Sequence, residues 1–412
     1  MDKKYILDTE ENRQWMKQLS DELLDFGKSF PSPEGGSYYL GDDGTPWKDR
    51  PRETWITCRM AHVYSMGAMM GYPGARELAE KALKGLRGEL KDKENGGWYA
   101  GIRSDGSYLP DKQCYAHAFV ILAGTSLKLA GIDGAEELLK DATDTYFKYF
   151  WSDKDGMACD TWDTAFTELS PYRGVNANMH TVEAFLAAYD ALADRSFLLR
   201  AGNIINRVLG LAAGNLWRIP EHYTEDWKAD LNAQSEKKDD PFKPYGATPG
   251  HGIEWARLIT QWAYATYKDK ETAVSRDFYV ASAADLYNRA VADAWNADGA
   301  PGFVYTTDWD GTPIVHDRMH WTLAEAINTS AVLYRVTGEE KFKTDYAMFM
   351  EYLDTCVLDK EKGSWFHELD RNNHVKGDVW PGKSDLYHAF QSTLIPYNPD
   401  PGLSVAKYVS GA

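Results

Sequence analysis

Positive charge is scarce in this sequence. Lysine and arginine number 45 against 62 aspartates and glutamates, which leaves a formal net charge of −17. Nucleic acids and anionic membrane surfaces are bound through positive patches, so this balance disfavours both as partners. Long apolar runs are also lacking, because none approaches the roughly 20 residues that cross a bilayer. We therefore expect a protein that acts on a small, neutral ligand and does not enter membranes.

Cysteine is rare as well. Cys58, Cys114, Cys159 and Cys356 form no C-x-x-C pair and no short disulfide framework, which indicates reduced thiols. The opening residues MDKKYILDTEENRQW lack the apolar stretch of a signal peptide. These two observations predict a cytoplasmic protein. No linker or low-complexity segment divides the chain, so we predict one domain over residues 1–412.

Signatures of metal sites are missing too. Zincins place two histidines four residues apart, and di-iron bundles use Glu-x-x-His with further glutamates from neighbouring helices. Two pairs with the spacing His-x-x-Glu stand at predicted helix starts instead, His180–Glu183 and His251–Glu254. On a helix this spacing puts the carboxylate on the same face as the imidazole. We predict that each glutamate orients its histidine, and we expect neither a metal nor another cofactor.

Paired helices are what the sequence does contain. Apolar residues from Val182 to Leu192 form one helical stripe, and those from Leu198 to Leu211 form another after a short break. Segments that begin with Gly and an aromatic residue or Met recur, with Gly97 and Gly156 lying 59 residues apart. Two of the helix starts nearly match, KQCYAHAF at 112–119 and KSDLYHAF at 383–390.

A period of about 60 residues built from helix pairs indicates a repeat architecture. Six such pairs fit the length of the chain, so we predict an all-α (α/α)6 barrel with short β-hairpin loops at its mouth. A TIM barrel would need regular apolar strands, which we do not find, and an open solenoid is the second alternative. The polar loop at 232–246 is interpreted as a lid or rim.

The helix starts of such a barrel would bring polar and aromatic residues to one mouth. These residues are Arg59, Tyr115, His117, Asn176, His180, His251, Glu254, Trp321, Glu325 and His388. Imidazole moves protons well near neutral pH, and tryptophan and tyrosine suit the faces and hydroxyls of sugars. Trp55, Trp321, Trp365 and Trp380 are interpreted either as stacking walls or as core aromatics. Arg59 could stabilise developing negative charge, or it could form an ion pair with Glu53 or a neighbouring residue.

Two pairs of aspartates suggest a different chemistry. Asp160 with Asp163, or Asp308 with Asp310, could serve as the acid and base of an inverting glycosidase. The segment Asp308-Trp-Asp-Gly311 also has the composition of a hairpin turn, and we favour the turn.

Several motifs resemble the N-acylglucosamine 2-epimerase superfamily, and most closely its branch of aldose–ketose isomerases acting on mannose or sulfoquinovose. They are TWITCRMAHVYSMGAMMGYPGA, GGWYA, YRGVNANMHTVEAFL, TPGHGIEWARL, VYTTDWDGTPIV and GSWFHELD with VWPGKSDLYH. The resemblance covers nearly the whole chain and implies an (α/α)6 barrel without a metal. It implies two principal histidines, His251 and His388, assisted by His180 and Glu254.

The same resemblance implies sugar contacts by Arg59, Trp55, Tyr115, Asn176, Trp321 and Glu325, and we add Trp365 and His367 as candidates for substrate binding. Pro241 and His367 stand where sulfoquinovose-type members are expected to carry arginine and glutamine. We therefore expect interconversion of mannose and fructose, with lyxose as a side substrate. A sulfoquinovose isomerase or a sugar 2-epimerase is the alternative, and monomer or homo-oligomer is left open.

Overall fold

Consecutive helices make up most of the structure, which is a computed structural model describing residues 2–268 and 275–411. The predicted domain 1–412 also includes Met1, residues 269–274 and Ala412, which lie outside the described residues. The helices are α1 (Glu10–Gly27), α2 (Thr54–Met69), α3 (Ala75–Arg87), α4 (Cys114–Leu129), α5 (Ala135–Tyr149), α6 (Val175–Leu192), α7 (Arg195–Gly214), α8 (Pro249–Lys268), α9 (Arg276–Ala294), α10 (His320–Thr337), α11 (Glu340–Tyr352), α12 (Leu386–Ser392) and α13 (Val405–Ser410).

Six of these helices form a closed inner ring. Helix α2 contacts α4, and contacts continue through α6, α8, α10 and α12 back to α2. The inner helices are buried nearly all round, as in α4, where residues Ala116 to Leu127 are all buried. An outer helix packs on each of them: α3, α5, α7, α9 and α11 on the preceding inner helix, and α1 on α12. The prediction of an (α/α)6 barrel is confirmed, and the closure of the ring excludes an open solenoid.

Short strands link the starts of neighbouring inner helices. The strands are β1 (Tyr39–Leu40), β2 (Pro46–Trp47), β3 (Arg52–Glu53), β4 (Gly101–Ile102), β5 (Asp111–Gln113), β6 (Trp151–Ser152), β7 (Met157–Ala158), β8 (Thr161–Asp163), β9 (Arg173–Gly174), β10 (His222–Tyr223), β11 (Thr306–Thr307), β12 (Pro313–Val315), β13 (Arg318–Met319), β14 (Glu368–Leu369) and β15 (Val375–Lys376). The antiparallel pairs are β1–β2, β3–β4, β5–β8, β6–β7, β9–β10, β11–β12, β13–β14 and β14–β15.

Four of these pairs, β3–β4, β5–β8, β9–β10 and β13–β14, join the segment before one inner helix to the loop before the next. The remaining two junctions are made by single bridges. Ala247 pairs with Thr307 between α8 and α10, and the Lys383 amide donates to the Leu40 carbonyl between α12 and α2. The rim is therefore continuous, and it fixes every inner helix start relative to its neighbours.

Buried lysines anchor two of these starts in the same way. Lys112 Nζ donates to Asp92, at 2.8 Å, and to the Gly96 carbonyl. Lys383 Nζ donates to Asp359, at 2.5 Å, and to the Gly363 carbonyl, at 2.9 Å. The repeated lysine is thus a structural anchor that holds the preceding turn against the helix start. No helix within the described ranges is long and apolar enough to cross a membrane.

Candidate active site

A small cavity lies at the mouth of the barrel, where the inner helices begin. Its volume is about 30 Å³, far below the roughly 300–1,000 Å³ of typical ligand pockets. The lining residues are Arg59, Tyr115, Asn176, His180, Pro241, Phe242, His251, Glu254, His320, Trp321, Trp380, Asp385 and His388. The cavity therefore gathers histidines, charged groups and aromatic rings from all six inner-helix starts.

Three histidines of the cavity share one arrangement, in which Nδ1 is bound by a buried carboxylate. The Nδ1–carboxylate distances are 3.3 Å from His180 to Glu183, 3.0 Å from His251 to Glu221, and 3.0 Å from His388 to Glu325. An ionised carboxylate only accepts, so each imidazole donates from Nδ1 and keeps Nε2 as a proton acceptor. Three bases are therefore prepared around one small space.

Burial keeps two of these imidazoles neutral. Desolvation lowers the pKa of His180 to about 4, against the opposing effect of Glu183. Desolvation likewise lowers the pKa of His388, although Glu325 and Asp385 oppose the shift. A neutral imidazole at neutral pH can accept a proton from a bound molecule. His251 and His388 also both contact Trp321, with ring centroids 5.1 Å and 5.9 Å away, so they lie on one wall.

Beneath the histidines lies a buried ionic cluster centred on Arg257. Its Nε donates to Glu325 at 2.7 Å, while Nη2 lies 3.6 Å from Glu254 and 3.8 Å from Glu183. Burial would raise the pKa of Glu183, but His180 and Arg257 hold it well below its usual range. Burial and the neighbouring Glu325 raise the pKa of Glu254 well above normal. The cluster thus combines ionised carboxylates with one carboxylic acid that faces the cavity.

Arg59 forms the opposite, charged side of the cavity. It donates to Asp385 at 2.6 Å and to the Tyr115 hydroxyl at 2.9 Å, so the ion pair expected with Glu53 or a neighbour is formed with Asp385. Burial would raise the pKa of Asp385, but Arg59 and His320 hold it well below its usual range. Glu53 instead accepts from Tyr39 and from Trp55 Nε1.

Aromatic rings cover the cavity on its outer side. Trp55 makes edge-to-face contacts with Tyr115, Phe242 and Trp380, at centroid distances of 6.1, 5.6 and 6.1 Å. Phe242 belongs to the polar loop at 232–246 that the sequence indicates as a lid or rim. Outside Phe242 lies a second cleft of about 400 Å³, which shares Tyr115, Asn176 and Phe242 with the inner cavity. The loop therefore separates a small inner chamber from a larger outer one.

Comparison with known proteins identifies the family. The family model for N-acylglucosamine 2-epimerase (GlcNAc 2-epimerase) matches residues 35–392. This chain belongs to the N-acylglucosamine 2-epimerase family. A D-mannose isomerase of Thermobifida fusca is 41% identical over 391 residues, covering 94% of this chain and 95% of that one. A D-mannose isomerase of Pseudomonas cannabina pv. alisalensis is 39% identical over 389 residues, covering 94% and 93%.

A solved structure is similar over the same extent. The crystal structure of a D-mannose isomerase matches with a TM-score of 0.85 at 26% identity, covering 93% of this chain and 97% of that one. Together with the family model and the curated relatives, this similarity shows that this member of the N-acylglucosamine 2-epimerase family is an isomerase.

Eight of the twelve predicted site residues line the cavity of this family member. They are Arg59, Tyr115, Asn176, His180, His251, Glu254, Trp321 and His388. Trp55 lies behind the aromatic cover and lines the outer cleft. Glu325 lies beneath His388 with no exposed surface, so it supports the histidine and is not itself part of the wall.

Two other predicted residues lie away from the cavity wall. His367 stacks on His320 with ring centroids 3.9 Å apart, and the cavity is lined by His320. Trp365 is 1% exposed and belongs to the main hydrophobic core. It follows the turn that Lys383 anchors, as Trp98 follows the turn anchored by Lys112. The aromatic residue after the glycine is therefore a packing residue in both repeats.

The predicted orientation of His251 by Glu254 is also wrong. His251 is in the first turn of α8, and its Nδ1 meets Glu221, which immediately precedes β10. Glu254 faces His180 instead, at 3.9 Å. The spacing of three residues places both on one helix face, but a carboxylate from a neighbouring segment lies closer to the ring. The same spacing predicts the His180–Glu183 pair correctly.

The aspartate pairs considered for a glycosidase do not line the inner cavity. Asp308 and Gly311 close the turn between β11 and β12, so the interpretation as a hairpin turn is confirmed. Asp163 accepts from the amides of Thr167 and Glu168. Asp160 lines the outer cleft.

His117 is a buried packing residue, since its Nδ1 donates to the Gln113 carbonyl and Nε2 accepts from the Trp98 amide.

Five contributors to the site are missing from the sequence prediction: His320, Glu221, Phe242, Arg257 and Asp385. His320 precedes Trp321, and Asp385 lies three residues before His388. Their positions at helix starts could therefore have been used to predict them. Only the interpretation of residues 232–246 as a lid or rim pointed to Phe242. Glu221 approaches from a different segment and carries no local signal.

Within residues 2–268 and 275–411, two groups of side chains have the spacing to hold a metal ion. They are His180 with Glu183 and Glu254, and Glu254 with Glu325 and His388, each with ligand atoms within 4.8 Å of one another. The guanidinium of Arg257 lies among the same carboxylates. Its positive charge opposes a second cation at either position, so the donor set does not favour a metal.

Proposed function

We propose that this protein interconverts D-mannose and D-fructose, with D-lyxose and D-xylulose as a second pair, by moving a proton between C2 and C1. The observation that carries the proposal is the cavity with three carboxylate-bound histidines, two of which, His251 and His388, flank Trp321. The names of the similar proteins support the choice of mannose. Residues 1–412 would act as one catalytic domain.

In this mechanism His251, oriented by Glu221, moves the proton that opens the sugar ring between O5 and O1. His388, oriented by Glu325, then removes the C2 proton through Nε2. Glu254, kept protonated by its environment, gives a proton to O1, which yields a cis-enediol. His388 returns its proton to C1 while the O2 proton passes to Glu254. The product is a ketose, and both side chains regain their starting states.

Unpaired polar atoms in the cavity wall support a ligand with many hydroxyl groups. Arg59 Nε, His320 Nε2 and Trp380 Nε1 lack hydrogen-bond partners, as do the oxygens Asn176 Oδ1 and Glu254 Oε1. Unsatisfied buried groups are costly, and sugar hydroxyls both donate and accept. A monosaccharide would satisfy donors and acceptors together, and the unpaired Nε–H of Arg59 would donate to an enediol oxygen as negative charge develops there.

The charge of the wall favours a neutral hexose over a sulfonated one. Among the described residues that line the cavity, Arg59 is the one lysine or arginine, and Asp385 already neutralises it. Pro241 lines the cavity without a charge. Lys243 lies in the outer cleft, 3.4 Å from Asp160. A sulfonate would thus find no free cation among these groups, which supports mannose over sulfoquinovose.

Entry of a hexose requires the aromatic cover to move, because the inner cavity holds about 30 Å³. Phe242 is held by its packing on Trp55 and Trp380 and by a 3.3 Å hydrogen bond from Asn176 to its carbonyl. A sugar hydroxyl could replace that hydrogen bond when the loop opens. The outer cleft would then receive the sugar first.

Sugar conversion by the pure protein tests the proposal. Mannose, lyxose, sulfoquinovose and a mannose oligosaccharide are incubated separately in D₂O, and products are followed by NMR. The proposal expects fructose from mannose, deuterium at C1 of fructose, and a higher kcat/KM for mannose than for sulfoquinovose. Glucose as the first product would indicate a 2-epimerase, which needs proton delivery from the opposite face. Release of reducing sugar from the oligosaccharide would indicate a glycosidase.

The proposal also covers the location and the partners of the enzyme. We propose a cytoplasmic location, supported by four cysteines that form no disulfide in the structure. The monosaccharide is the proposed partner, with no nucleic acid or membrane involved, and the protein is a monomer or homo-oligomer.

A further inference from the structure

Arg257 connects carboxylates from three different inner helices. It belongs to α8 and is 4% exposed. Its Nε donates to Glu325 of α10, and its Nη2 lies near Glu183 of α6 and Glu254 of its own helix. Of these carboxylates, Glu183 binds Nδ1 of His180 and Glu325 binds Nδ1 of His388. One guanidinium therefore lies behind two of the three histidine–glutamate pairs.

The tautomer of each histidine depends on the charge state of its glutamate. An ionised glutamate accepts the Nδ1 proton, which leaves Nε2 as a base. A protonated glutamate can donate to Nδ1 instead, and the ring proton then moves to Nε2, where it blocks proton abstraction. A carboxylate as deeply buried as Glu325, with no exposed surface, stays ionised only beside a compensating positive charge.

We propose that Arg257 is a positioning residue that keeps Glu183 and Glu325 ionised, so that His180 and His388 both present an unprotonated Nε2 to the cavity. The inference rests on the proposed function for its catalytic consequence, but its effect on the tautomers can be measured without turnover. One positive charge cannot compensate three buried carboxylates. Two of them are therefore ionised, and Glu254 is the one that retains a proton.

The other groups around the cluster do not replace this charge. Tyr387 donates to Glu183 but is neutral. Arg59 is engaged with Asp385 across the cavity. Among the described residues, the titratable or charged groups that face the cluster are Arg59 and His62 of α2, Tyr115 of α4, His180 and Glu183 of α6, His251 and Glu254 of α8, Glu325 of α10, and Asp385, Tyr387 and His388 at α12. Within the part of the chain that the structure describes, Arg257 is the one cation in contact with all three glutamates.

The test compares Arg257→Met and Arg257→Lys with a matched control, Asp293→Asn. Asp293 binds Arg218 through two hydrogen bonds, of 2.7 and 3.1 Å, in another buried pair. Its substitution likewise breaks a buried ion pair, but it does so away from the cavity and leaves the arginine, not the carboxylate, without its partner. Protein labelled with ¹⁵N-histidine reports the tautomer of each ring, with signals assigned through His180→Gln and His388→Gln. The pH dependence of kcat/KM for mannose is measured on the same samples.

In the wild type we expect Nδ1–H tautomers for His180 and His388 at pH 7. Arg257→Met should shift His388 toward the Nε2–H form and reduce kcat by about 10²–10⁴-fold, the value of a positioned base. The acid limb of kcat/KM should rise by about one to three pH units, because the glutamates lose the charge that lowers their pKa. Arg257→Lys should restore the tautomer and part of the rate. Asp293→Asn should lower the melting temperature alone.

Unchanged tautomers in Arg257→Met, or the same tautomer shift in Asp293→Asn, would overturn the inference. If Arg257→Met does not fold, Arg257→Gln removes the charge while keeping a donor, and the same tautomer shift is expected. A wild type that converts no sugar, together with tautomers that shift in Arg257→Met, would reject the proposed function and retain the positioning role.

Discussion

The second and the last inner-helix starts are near copies that use their histidines differently. In both, a buried lysine binds an aspartate and a glycine carbonyl of the preceding turn, and a histidine follows five residues later. His117 uses both ring nitrogens on the backbone, at Gln113 and Trp98. His388 instead binds Glu325 of the neighbouring helix and lines the cavity. The copied motif is the anchor, and the environment decides what its histidine does.

The fifth position after the anchor has a structural task in other repeats as well. In the first, Thr57 follows Arg52 by five residues, and its hydroxyl accepts from the Ser37 amide. In the third, Asn178 follows Arg173 by five residues, and its side chain accepts from the Ala158 amide. His117 does the same for Trp98. His388 thus occupies a position that satisfies a backbone amide in the first three repeats, whereas its own ring is bound by a glutamate from α10.

Substitution of each histidine in turn should give the largest difference between the two helix starts, because one histidine is proposed to act in catalysis and the other packs in the core. His388→Ala should lower kcat by about 10²–10⁴-fold, because the proposed base is lost. Mannose should still bind, and exchange of its C2 hydrogen in D₂O should stop. His117→Asn, which keeps an acceptor for Trp98, should retain wild-type exchange. Retained C2 exchange in His388→Ala would refute its assignment as the base.

Substitution of the two anchoring lysines should affect stability equally but activity unequally, with the larger loss of activity at Lys383. Lys112→Met and Lys383→Met each leave a buried aspartate unpaired, so each should lower the free energy of unfolding by about 3–5 kcal/mol. Lys383→Met should also reduce kcat/KM by up to about 10²-fold, because displacement of the α12 start misplaces His388. Urea unfolding and activity, measured well below the melting temperature, check both. Equal activity in the two variants would remove the distinction.

The pH dependence of stability should identify His117 as a packing residue. Desolvation lowers its pKa to about 3, whereas the unfolded chain binds a proton near the ordinary value of about 6.5. Stability is therefore full above pH 6.5 and falls toward pH 3, by up to about 1.4 kcal/mol per pH unit for each such histidine. His117→Asn should show a smaller slope between pH 6.5 and 4.5 in urea unfolding. Parallel slopes would contradict the assignment.

The smallest effect is expected in the first repeat. Thr57→Val removes the acceptor of the Ser37 amide at a buried position, which should cost about 1 kcal/mol of unfolding free energy. Activity on mannose should not change, because Thr57 is not among the residues that line the cavity. A loss of activity beyond twofold would contradict the prediction, because it would show that Thr57 affects the site as His388 does.

The sequence predicted the site residues that occupy equivalent positions in the repeats. Because the mouth collects helix starts, the period of about 60 residues predicted both the barrel and residues such as Arg59, Asn176 and His388. It was misleading for Trp365, because the aromatic residue after each glycine packs in the core. The contacts of Glu221 with His251 and of Arg257 with Glu325 join segments 30 and 68 residues apart. No local spacing encodes such contacts, so only the closed ring reveals them.

The partnership of α1 with α12 has a consequence for how the chain comes together. A side chain at Gly27 of α1 would collide with Leu386 of α12 and with Tyr64 of α2, so the two ends of the ring fit closely at this glycine. During synthesis α1 can meet α2 early, but α12 is made more than 350 residues after α1. The contact that closes the barrel therefore joins the two ends of the chain, and we expect refolding from denaturant to be limited by this long-range docking step.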